Sequence, residues 1–492
     1  MRLRLLSRAS DLATLQARLV AAALRARHPD VDVVLATQSS EGDRDRRVAL
    51  WDAADKGLFT TDLSQALVDG SADLVVHSWK DLPIAPHPGT RVGATLERAD
   101  PHDVLLVRRD VVAAHPASLT ILTSSPRRAW QLERSLTPLL PWPVAALTTT
   151  AVRGNIPTRL AKLVRGEGDA LVVAKAALDR LLSPAGAPDV AQAIRASLAA
   201  CRWMVLPLDA FPTAPAQGAL AVEIADRDGD VARLVAAIDH EPTRRAVIAE
   251  RDLLAAAGGG CHEAIGATVR VRDYGIVTSV RGRMPSGDER QIWSLDASGE
   301  PWPRTTSDRI WPRRDERDRA VRTKLPDVAI PRDASAFWIA RADALPESFM
   351  PSQDHVVWVS GSRTWARLAQ RGIWVNGSAD GLGDGEQPSA DTLAGRPLRW
   401  LRLTHADAGD PDALATYTVT RDLPADLGSR THCFWTSGRL FRDALERFPA
   451  LRDARHASGP GRTAAAIRET LGPTAYRRVW LDYDQWLQTV LS

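Results

Sequence analysis

Cysteine is scarce in this sequence, and long apolar runs are missing. The 492 residues include three cysteines, Cys201, Cys261 and Cys433, which lie far apart and form no CxxC pair. This spacing argues against a disulfide framework or a zinc knuckle. No segment approaches the roughly 20 apolar residues of a membrane helix, and the start of the chain turns polar too early for a secretory signal. We therefore expect a cytoplasmic protein without a membrane partner.

Lysine is also rare, since it supplies only five of the 63 basic residues and arginine supplies the other 58. A coding bias towards arginine makes any single arginine weak evidence, but it draws attention to Lys56 and Lys80. The net charge of +3 gives no strong case for a nucleic-acid partner. With 45% apolar residues, the chain can bury sizeable cores, and its length predicts several domains.

Two stretches within the first 200 residues share one pattern. Leu63–Val76 and Leu160–Val173 each read as a helix, a glycine, an aspartate three residues later, and a short apolar strand. The glycine can end the helix in the left-handed conformation. Continuous apolar strands are typical of sheets whose two faces are both covered by helices. The pattern predicts two similar α/β lobes, with ligands bound beyond the carboxyl ends of the strands.

Three segments carry residues suited to chemistry. Asp81 follows a predicted strand, where a carboxylate can stabilise a cation or pass a proton; the alternative is a helix cap or an ion pair with Lys80. Ser124–Arg128 and Arg153–Arg159 each open a helix with arginines, which suits carboxylates or phosphates, although solvated arginines are the alternative. Glycines before Cys261 place its thiol on a bare loop, where the alternative is a small buried residue.

These segments resemble the hydroxymethylbilane synthase (porphobilinogen deaminase) family, and they occur in the family's order across residues 1–285. Ala216 stands where the family frequently has glycine. The segments that carry the resemblance are Leu6–Gln16, Lys56–Phe59, Val76–Pro83, Glu97–Asp103, Thr123–Arg128, Arg153–Leu160, Pro215–Leu220 and Gly259–Cys261.

The resemblance implies an α/β fold with two doubly wound lobes like those of periplasmic binding proteins. It also implies a small α+β third domain that carries the cofactor cysteine. We expect a C-terminal α/β domain after it. We assign residues 1–96 and 196–217 to the first lobe, 97–195 to the second, 218–285 to the cofactor-attachment domain, 286–335 to a linker or extension, and 336–492 to the C-terminal domain.

The activity that the resemblance implies is that of a transferase, hydroxymethylbilane synthase. Four porphobilinogen molecules would condense head to tail, with loss of ammonia, on a dipyrromethane primer attached through Cys261. The product, hydroxymethylbilane, serves tetrapyrrole and haem biosynthesis. Asp81 would be the catalytic residue, stabilising positive charge on pyrrole nitrogens and relaying protons. No metal is implied, the partner is a small molecule, and a monomer is expected.

The resemblance also implies the residues that bind the cofactor and the substrate. The cofactor contacts would come from Lys80, Ser125, Arg127 and Arg128, besides Cys261. The substrate contacts would come from Arg8, Ser10, Gln16, Lys56, Phe59, Arg153, Asn155, Arg159 and Arg180. The alternative function is a non-catalytic two-lobed protein that binds a tetrapyrrole or another solute.

Residues 336–492 resemble a uroporphyrinogen-III synthase, the enzyme that closes the same bilane into a ring. The resemblance lies in Thr416–Arg421, Cys433–Gly438 and Gly459–Ala464. It implies candidate site residues Tyr417, Ser437 and Thr463. The alternative is a domain that only packs against the first part of the chain.

Overall fold

The computed structural model divides into two compact units. The first contains residues 1–137, 143–271 and 278–293, and the second contains residues 138–142, 272–277 and 294–492. The structure describes residues 1–38, 60–227, 229–258, 264–297, 299–317, 320–326, 328–331, 333–383, 390–406, 408, 410, 412–472 and 477–491.

The first unit holds thirteen described strands and nine described helices. The strands are β1 (Arg2–Arg8), β2 (Asp32–Gln38), β3 (Leu74–Ser78), β4 (Thr90–Ala94), β5 (Asp103–Arg108), β6 (Ser118–Leu122), β7 (Ala146–Thr150), β8 (Ala170–Ala174), β9 (Cys201–Val205), β10 (Leu220–Ala225), β11 (Ile265–Arg272), β12 (Gly275–Arg283) and β13 (Glu289–Ala297). The helices are α1 (Asp11–Arg27), α2 (Thr61–Val68), α3 (Arg109–Ala114), α4 (Pro126–Ser135), α5 (Ile156–Val164), α6 (Lys175–Leu181), α7 (Pro188–Ala199), α8 (Gly229–Ala236) and α9 (Glu241–Ala256).

The first lobe is built on a five-stranded sheet in the order β2-β1-β3-β10-β4. Its central strand β3 is buried on both faces. Leu74 and Val76 pack in one core with α1, whereas Val75 between them packs in a second core with Leu63 and Leu67 of α2. Successive side chains of a strand point to opposite faces, so a strand covered by helices on both sides must be apolar throughout. This confirms the reading of the continuous apolar runs.

The second lobe repeats the plan of the first, with the sheet order β7-β6-β8-β5-β9. In both sheets three parallel strands are followed by one that runs antiparallel to them, and the last strand again runs in the direction of the first three. The repeated aspartate has the same role in each lobe. Asp73 accepts the backbone N–H of Arg4 (2.6 Å), and Asp169 accepts that of Thr120 (2.8 Å). Each carboxylate thereby holds the neighbouring strand, which explains why the sequence pattern recurs.

The chain crosses from the first lobe to the second and later returns. The segment in which it returns differs from the boundaries expected from the sequence. Residues 196–217 were expected in the first lobe, but β9 pairs with β5 in the sheet of the second lobe. Residues from 218 onward were expected in the third domain, but β10 pairs with β3 in the first lobe. Leu220, Val222 and Ile224 of β10 complete the core beneath α1. The return crossing therefore lies between β9 and β10.

A third domain follows, with the three-stranded sheet β11-β12-β13 and helix α9. Glu250 of α9 is fully buried, and its carboxylate joins three parts of the chain. It accepts hydrogen bonds from both Nη atoms of Arg98 (2.6 and 3.0 Å), from the backbone N–H of Ala216 (2.6 Å) and from that of Val269 (2.7 Å). Ala216 has φ +65°, in the left-handed region that favours glycine.

We expect Arg98→Leu to destabilise the protein by about 3–5 kcal/mol, because it leaves the Glu250 carboxylate buried without its counter-ion. The midpoint of urea unfolding measures the effect. Arg2→Ala is the control, since Arg2 and Asp32 form an exposed pair at 3.5 Å that contributes little. Equal midpoints for the two variants would contradict the prediction.

The second unit holds ten described strands and six described helices. The strands are β14 (Ile310–Trp311), β15 (Val321–Lys324), β16 (Ala336–Ile339), β17 (Val356–Val359), β18 (Gly377–Ser378), β19 (Trp400–His405), β20 (Ala413–Thr420), β21 (His432–Trp435), β22 (Arg455–Ser458) and β23 (Arg477–Val479). The helices are α10 (Arg314–Arg317), α11 (Ser362–Gln370), α12 (Asp391–Ala394), α13 (Gly438–Arg447), α14 (Arg462–Leu471) and α15 (Tyr483–Val490).

The strands of the second unit form two sheets, in the orders β14-β21-β22-β23 and β15-β20-β19-β16-β17-β18. Both are parallel except for β15, which runs antiparallel to β20. Residues 286–335 were expected to be a linker or extension, but they supply β13 to the third domain and β14 and β15 to these two sheets. Strands of two to four residues are too short to show a periodic pattern, so the sequence did not reveal β14 and β15.

Candidate functional site

Asp81 ends a short 3₁₀ helix, Trp79–Asp81, that directly follows β3. Trp79 anchors this turn, since its side chain is buried with Ala216 and Val247 and its backbone N–H donates to Ala219 (3.1 Å). The Asp81 side chain is exposed. No helix begins after it, because residues 82–89 have no regular structure. The alternative of a cap on a following helix therefore falls away.

Lys80 belongs to a polar chain that reaches the second lobe. Its Nζ donates to Oε1 of Gln217 (3.2 Å), and Nε2 of that buried amide donates to Oδ1 of Asp103 (2.9 Å) and to the carbonyl of Pro101 (2.6 Å). Burial lowers the pKa of Lys80 to about 8; Asp81 opposes this shift and Arg128 adds to it. Gln217 thus connects the turn before Asp81 with the strand that opens the second lobe.

Asp103 lies at the start of β5 and holds two adjacent arginines of α4. Its Oδ2 accepts from Nη2 of Arg127 (2.9 Å) and from Nε of Arg128 (3.1 Å), and its Oδ1 accepts from Nη2 of Arg128 (2.6 Å). Burial would raise the pKa of Asp103, but Arg128 and Arg127 lower it well below its usual range. Ser125 caps the helix by accepting the backbone N–H of Arg128 (3.4 Å). The predicted cofactor-binding residues Lys80, Ser125, Arg127 and Arg128 are thus connected around one carboxylate.

Two predicted substrate arginines, Arg153 and Arg159, lie at the start of the next helix, α5. Asn155 is the N-cap of α5 and accepts the backbone N–H of Thr158 (3.0 Å). Arg159 donates from Nε to the carbonyl of Gly154 (2.8 Å). Burial lowers the pKa of Arg159, and the nearby Arg128 lowers it further. Arg153 is exposed just before the cap. The cations of α4 and α5 are therefore close enough to repel one another.

Arg180 and Lys175 lie on α6, which follows β8 in the second lobe. Arg180 donates from Nη2 to the carbonyl of Gly218 (2.7 Å), and burial lowers its pKa to about 10. The buried Lys175 donates to Asp179 (2.7 Å) and lies 3.6 Å from Asp100. These contacts reach both segments in which the chain passes between the lobes, one at Asp100 and the other at Gly218. The substrate role of Arg180 remains a prediction.

The predicted residues of the first lobe lie on β1 and α1. Gln16 is buried and exchanges hydrogen bonds with the Ser78 hydroxyl (2.9 and 3.1 Å), two residues before Lys80. Ser10 is the N-cap of α1 and accepts the backbone N–H of Ala13 (3.3 Å). Arg8 ends β1 and is partly buried. Lys56, Phe59 and Cys261 lie outside the described residues.

The candidate residues of the C-terminal region fall on different sheets. Tyr417 is buried on β20, and burial raises its pKa, which Arg341 opposes. Ser437 follows β21 as the N-cap of α13, accepting the backbone N–H of Leu440 (3.3 Å). Thr463 follows β22 in the first turn of α14. Ser437 and Thr463 therefore share the carboxyl edge of one sheet, whereas Tyr417 belongs to the other.

Sequence reasoning did not assign a function to Asp103, Gln217 or the Arg98–Glu250 pair. A signal for Asp103 was present, since this charged residue directly precedes four apolar residues of a strand, Val104–Val107. In the part of the chain that the structure describes, no group of three or more His, Cys, Asp or Glu residues is placed to hold a metal ion. None of the described helices is both long and apolar enough to cross a membrane.

Two similar lobes with cations clustered beyond their strands define a two-lobed protein suited to anionic ligands. The family model described as "Porphobilinogen deaminase, dipyromethane cofactor binding domain" matches residues 3–233. The porphobilinogen deaminase of Leifsonia xyli subsp. xyli is 40% identical over 290 residues, which are 58% of this chain and 80% of that protein. That of Moorella thermoacetica is 40% identical over 296 residues, 60% of this chain and 86% of that protein. The chain therefore belongs to the porphobilinogen deaminase family of transferases, whose cofactor is dipyrromethane.

Two solved structures overlap the chain in part. The periplasmic sulfonate-binding protein SsuA of Methylobacillus flagellatus covers 48% of this chain and 66% of its own, with 12% identity and a TM-score of 0.27. The BenM effector-binding domain covers 52% of this chain and 93% of its own, with 13% identity and the same TM-score. The mixed α/β fold rests on the strand orders given above.

We expect the kcat/KM of the enzyme for porphobilinogen to fall at alkaline pH, because Lys80 loses its proton and no longer attracts carboxylates. Burial lowers the pKa of Lys80 to about 8, and the cofactor carboxylates that the resemblance assigns to Lys80 move the fall above that pH. The pH profile of kcat/KM reports groups of the free enzyme. Bound carboxylates favour the ammonium form, so the alkaline fall in kcat should lie at higher pH.

Lys80→Arg keeps the charge at all these pH values and should remove this alkaline fall. Lys324→Arg is the matched control, since Lys324 forms an exposed pair with Glu347 in the second unit (2.6 Å). The same profile in the parent and in Lys80→Arg would rule Lys80 out as the titrating group.

Proposed function

We propose that this chain is a hydroxymethylbilane synthase, which joins four porphobilinogen molecules head to tail with loss of ammonia on a covalent dipyrromethane primer. The observation that carries the proposal is the polar chain from Lys80 through Gln217 and Asp103 to Arg127 and Arg128. It begins at the residue before Asp81 and spans both lobes. It brings a general acid–base candidate next to a cluster of cations.

The charges of this cluster favour a ligand with several carboxylates. Lys80, Arg127 and Arg128 are three cations around the single buried carboxylate of Asp103. Arg159 adds a fourth cation near Arg128. A surplus of buried or half-buried cations is costly unless anions join it. The acetate and propionate groups of porphobilinogen are such anions, and guanidinium groups bind carboxylates in two-pronged fashion.

The same residues fit the dipyrromethane cofactor, whose pyrrole rings carry the same acidic side chains. Lys80, Arg128 and the capped start of α4 would hold those carboxylates, and the Cys261 thiolate would form the thioether. When bound, the dipyrromethane supplies the pyrrole α-carbon to which the first porphobilinogen unit is joined. Arg153, Arg159 and Arg180, with Arg8, Ser10, Gln16, Lys56, Phe59 and Asn155, would orient the incoming porphobilinogen.

Asp81 is the residue that we assign to the chemical step. Its exposed carboxylate stands on a turn anchored by the buried Trp79. A carboxylate held in this way stabilises positive charge that develops on a pyrrole nitrogen during carbon–carbon bond formation. It can also accept and return the protons that the condensation releases. One such residue would serve each of the successive additions.

We expect Asp81→Ala to lower kcat by at least about a hundredfold, because it removes both the charge and the proton acceptor. Turnover of porphobilinogen measures the effect, with Asp30→Ala in an exposed turn as the control. The intact mass of the parent and of Asp81→Ala should exceed the sequence mass by two pyrrole units, and that of Cys261→Ala should not.

Near-normal turnover in Asp81→Ala would overturn the role of Asp81. A parent protein that shows only its sequence mass, even after incubation with porphobilinogen, would overturn the function.

We propose uroporphyrinogen-III synthase activity as a second function, for the C-terminal unit. The observation that favours it is the pair of sheets, which are parallel except for β15, since the resemblance implies an enzyme of two α/β lobes. The chain passes from β14 of one sheet to β15 of the other and returns after β20. Arg462 at the start of α14 pairs with Asp410 beyond β19 (2.5 Å), so the carboxyl edges of the two sheets meet. Ligands of parallel sheets bind at such edges.

We expect the full-length protein to convert porphobilinogen into the type III isomer of uroporphyrinogen, because enzymatic ring closure competes with the spontaneous closure to type I. Chromatography of the oxidised products separates the isomers. Tyr417→Phe should shift the product towards type I while the consumption of porphobilinogen stays unchanged. Product that is only type I from the parent would exclude this second activity.

A further inference from the structure

Arg251 fastens the segment that follows Asp81 to the third domain. Its Nη1 donates to the carbonyl of Leu82 (3.1 Å), and its Nη2 donates to the carbonyls of Pro83 and Ile84, the latter at 3.3 Å. One guanidinium therefore holds three consecutive carbonyls, beginning at the residue after Asp81. Arg251 belongs to α9 and stands ten positions before Cys261 in the sequence.

The segment held by Arg251 is irregular, and only its first residue is tied to the turn before it: Leu82 packs against the core around Trp79, and its N–H donates to the carbonyl of Trp79 (3.1 Å). Residues 82–89 belong to no helix or strand, and Pro83 has no N–H to donate. A cavity of about 330 Å³ lies beside them, lined in part by Trp79, Leu82, Glu223 and Arg251. The hydrogen bonds from Arg251 therefore hold an irregular segment at the edge of this open cavity.

A second arginine on the same face of α9 provides a comparison. Arg244 lies seven residues earlier, which is about two helical turns, and it also reaches the first lobe. Its Nη2 donates to Gly93 (2.9 Å) and its Nη1 to Val92 (3.4 Å). Those carbonyls belong to β4, a strand already held by its ladder with β10. Arg244 reinforces a fixed strand, whereas Arg251 holds an irregular segment.

We propose that Arg251 is a positioning residue for Asp81: through the carbonyls of residues 82–84 it couples the aspartate to the helix that leads to the cofactor cysteine. The proposal rests on the role of Asp81 proposed above. The hydrogen bonds described for the guanidinium go to backbone carbonyls beside Asp81. Its effect is to keep the aspartate at a constant place relative to the third domain as the lobes take up successive substrates.

The test compares Arg251→Ala with Arg244→Ala in the full-length protein carrying its cofactor. A displaced catalytic group costs about tenfold to a hundredfold in rate, so we expect kcat of Arg251→Ala to fall by that factor, with KM changed less than kcat. Intact mass should show the cofactor still attached. Added guanidinium chloride at low, non-denaturing concentration should restore part of kcat in Arg251→Ala. It should not do so in Arg244→Ala, whose kcat should remain near that of the parent.

Arg251→Lys is the second variant, because it keeps the charge and the packing of the stem but presents one ammonium instead of the two-pronged guanidinium. An intermediate kcat in this variant supports the proposal. A parental kcat in both Arg251 variants would overturn it. So would equal losses in the Arg251 and Arg244 variants without rescue, since that result indicates a general loss of structure. Failure of the proposed function is distinguished by the parent, which would then not consume porphobilinogen.

Discussion

The arrangement of the two lobes depends on the hydrogen bonds and ion pairs that the carboxylate of Asp103 makes. It sits where the chain enters the second lobe and accepts hydrogen bonds from Arg127, Arg128 and Gln217. Two neighbouring guanidinium groups in a buried place would otherwise repel each other, and a charge without a partner there is costly. Gln217 also accepts a hydrogen bond from Lys80. The same carboxylate therefore connects the turn that carries Asp81 with the arginines of the opposite lobe. One acidic side chain thus holds the cations in position, and because it carries a single negative charge, it leaves the cluster with a net positive charge.

Much of the fold of the first unit could be predicted from the sequence. The runs that became β3 and β8 are apolar throughout because helices cover both faces, and the glycine and aspartate before them mark the same turn twice. The return crossing could not be predicted, since β9 and β10 look alike as short apolar strands and only their pairing assigns them to a lobe. Gln217 and Asp103 are 114 residues apart, and neither is part of a periodic pattern. Their partnership follows from the topology alone.

Several residues expected at the site also have a structural role that the sequence did not reveal. Asn155 caps α5, Arg180 holds the carbonyl of Gly218, and Gln16 is paired with Ser78. Gly218 has φ +88°, and a Cβ there would meet the carbonyl oxygen of Ala99 at 2.4 Å. The crossings are packed so closely that side chains near them are fixed before any ligand binds. Such preorganisation lowers the entropy lost on binding.

The order of strands in both units has a consequence for synthesis on the ribosome. The sheet of the second lobe is continuous in sequence, whereas the first lobe needs β10, which emerges only after the whole of the second lobe. In the C-terminal unit, β14 must likewise wait for β21, and the whole of the other sheet is made in between. In each unit the enclosed lobe can therefore fold while the enclosing lobe still lacks a strand. Domains made early generally fold early, so the nascent chain would expose an unfinished sheet twice during translation.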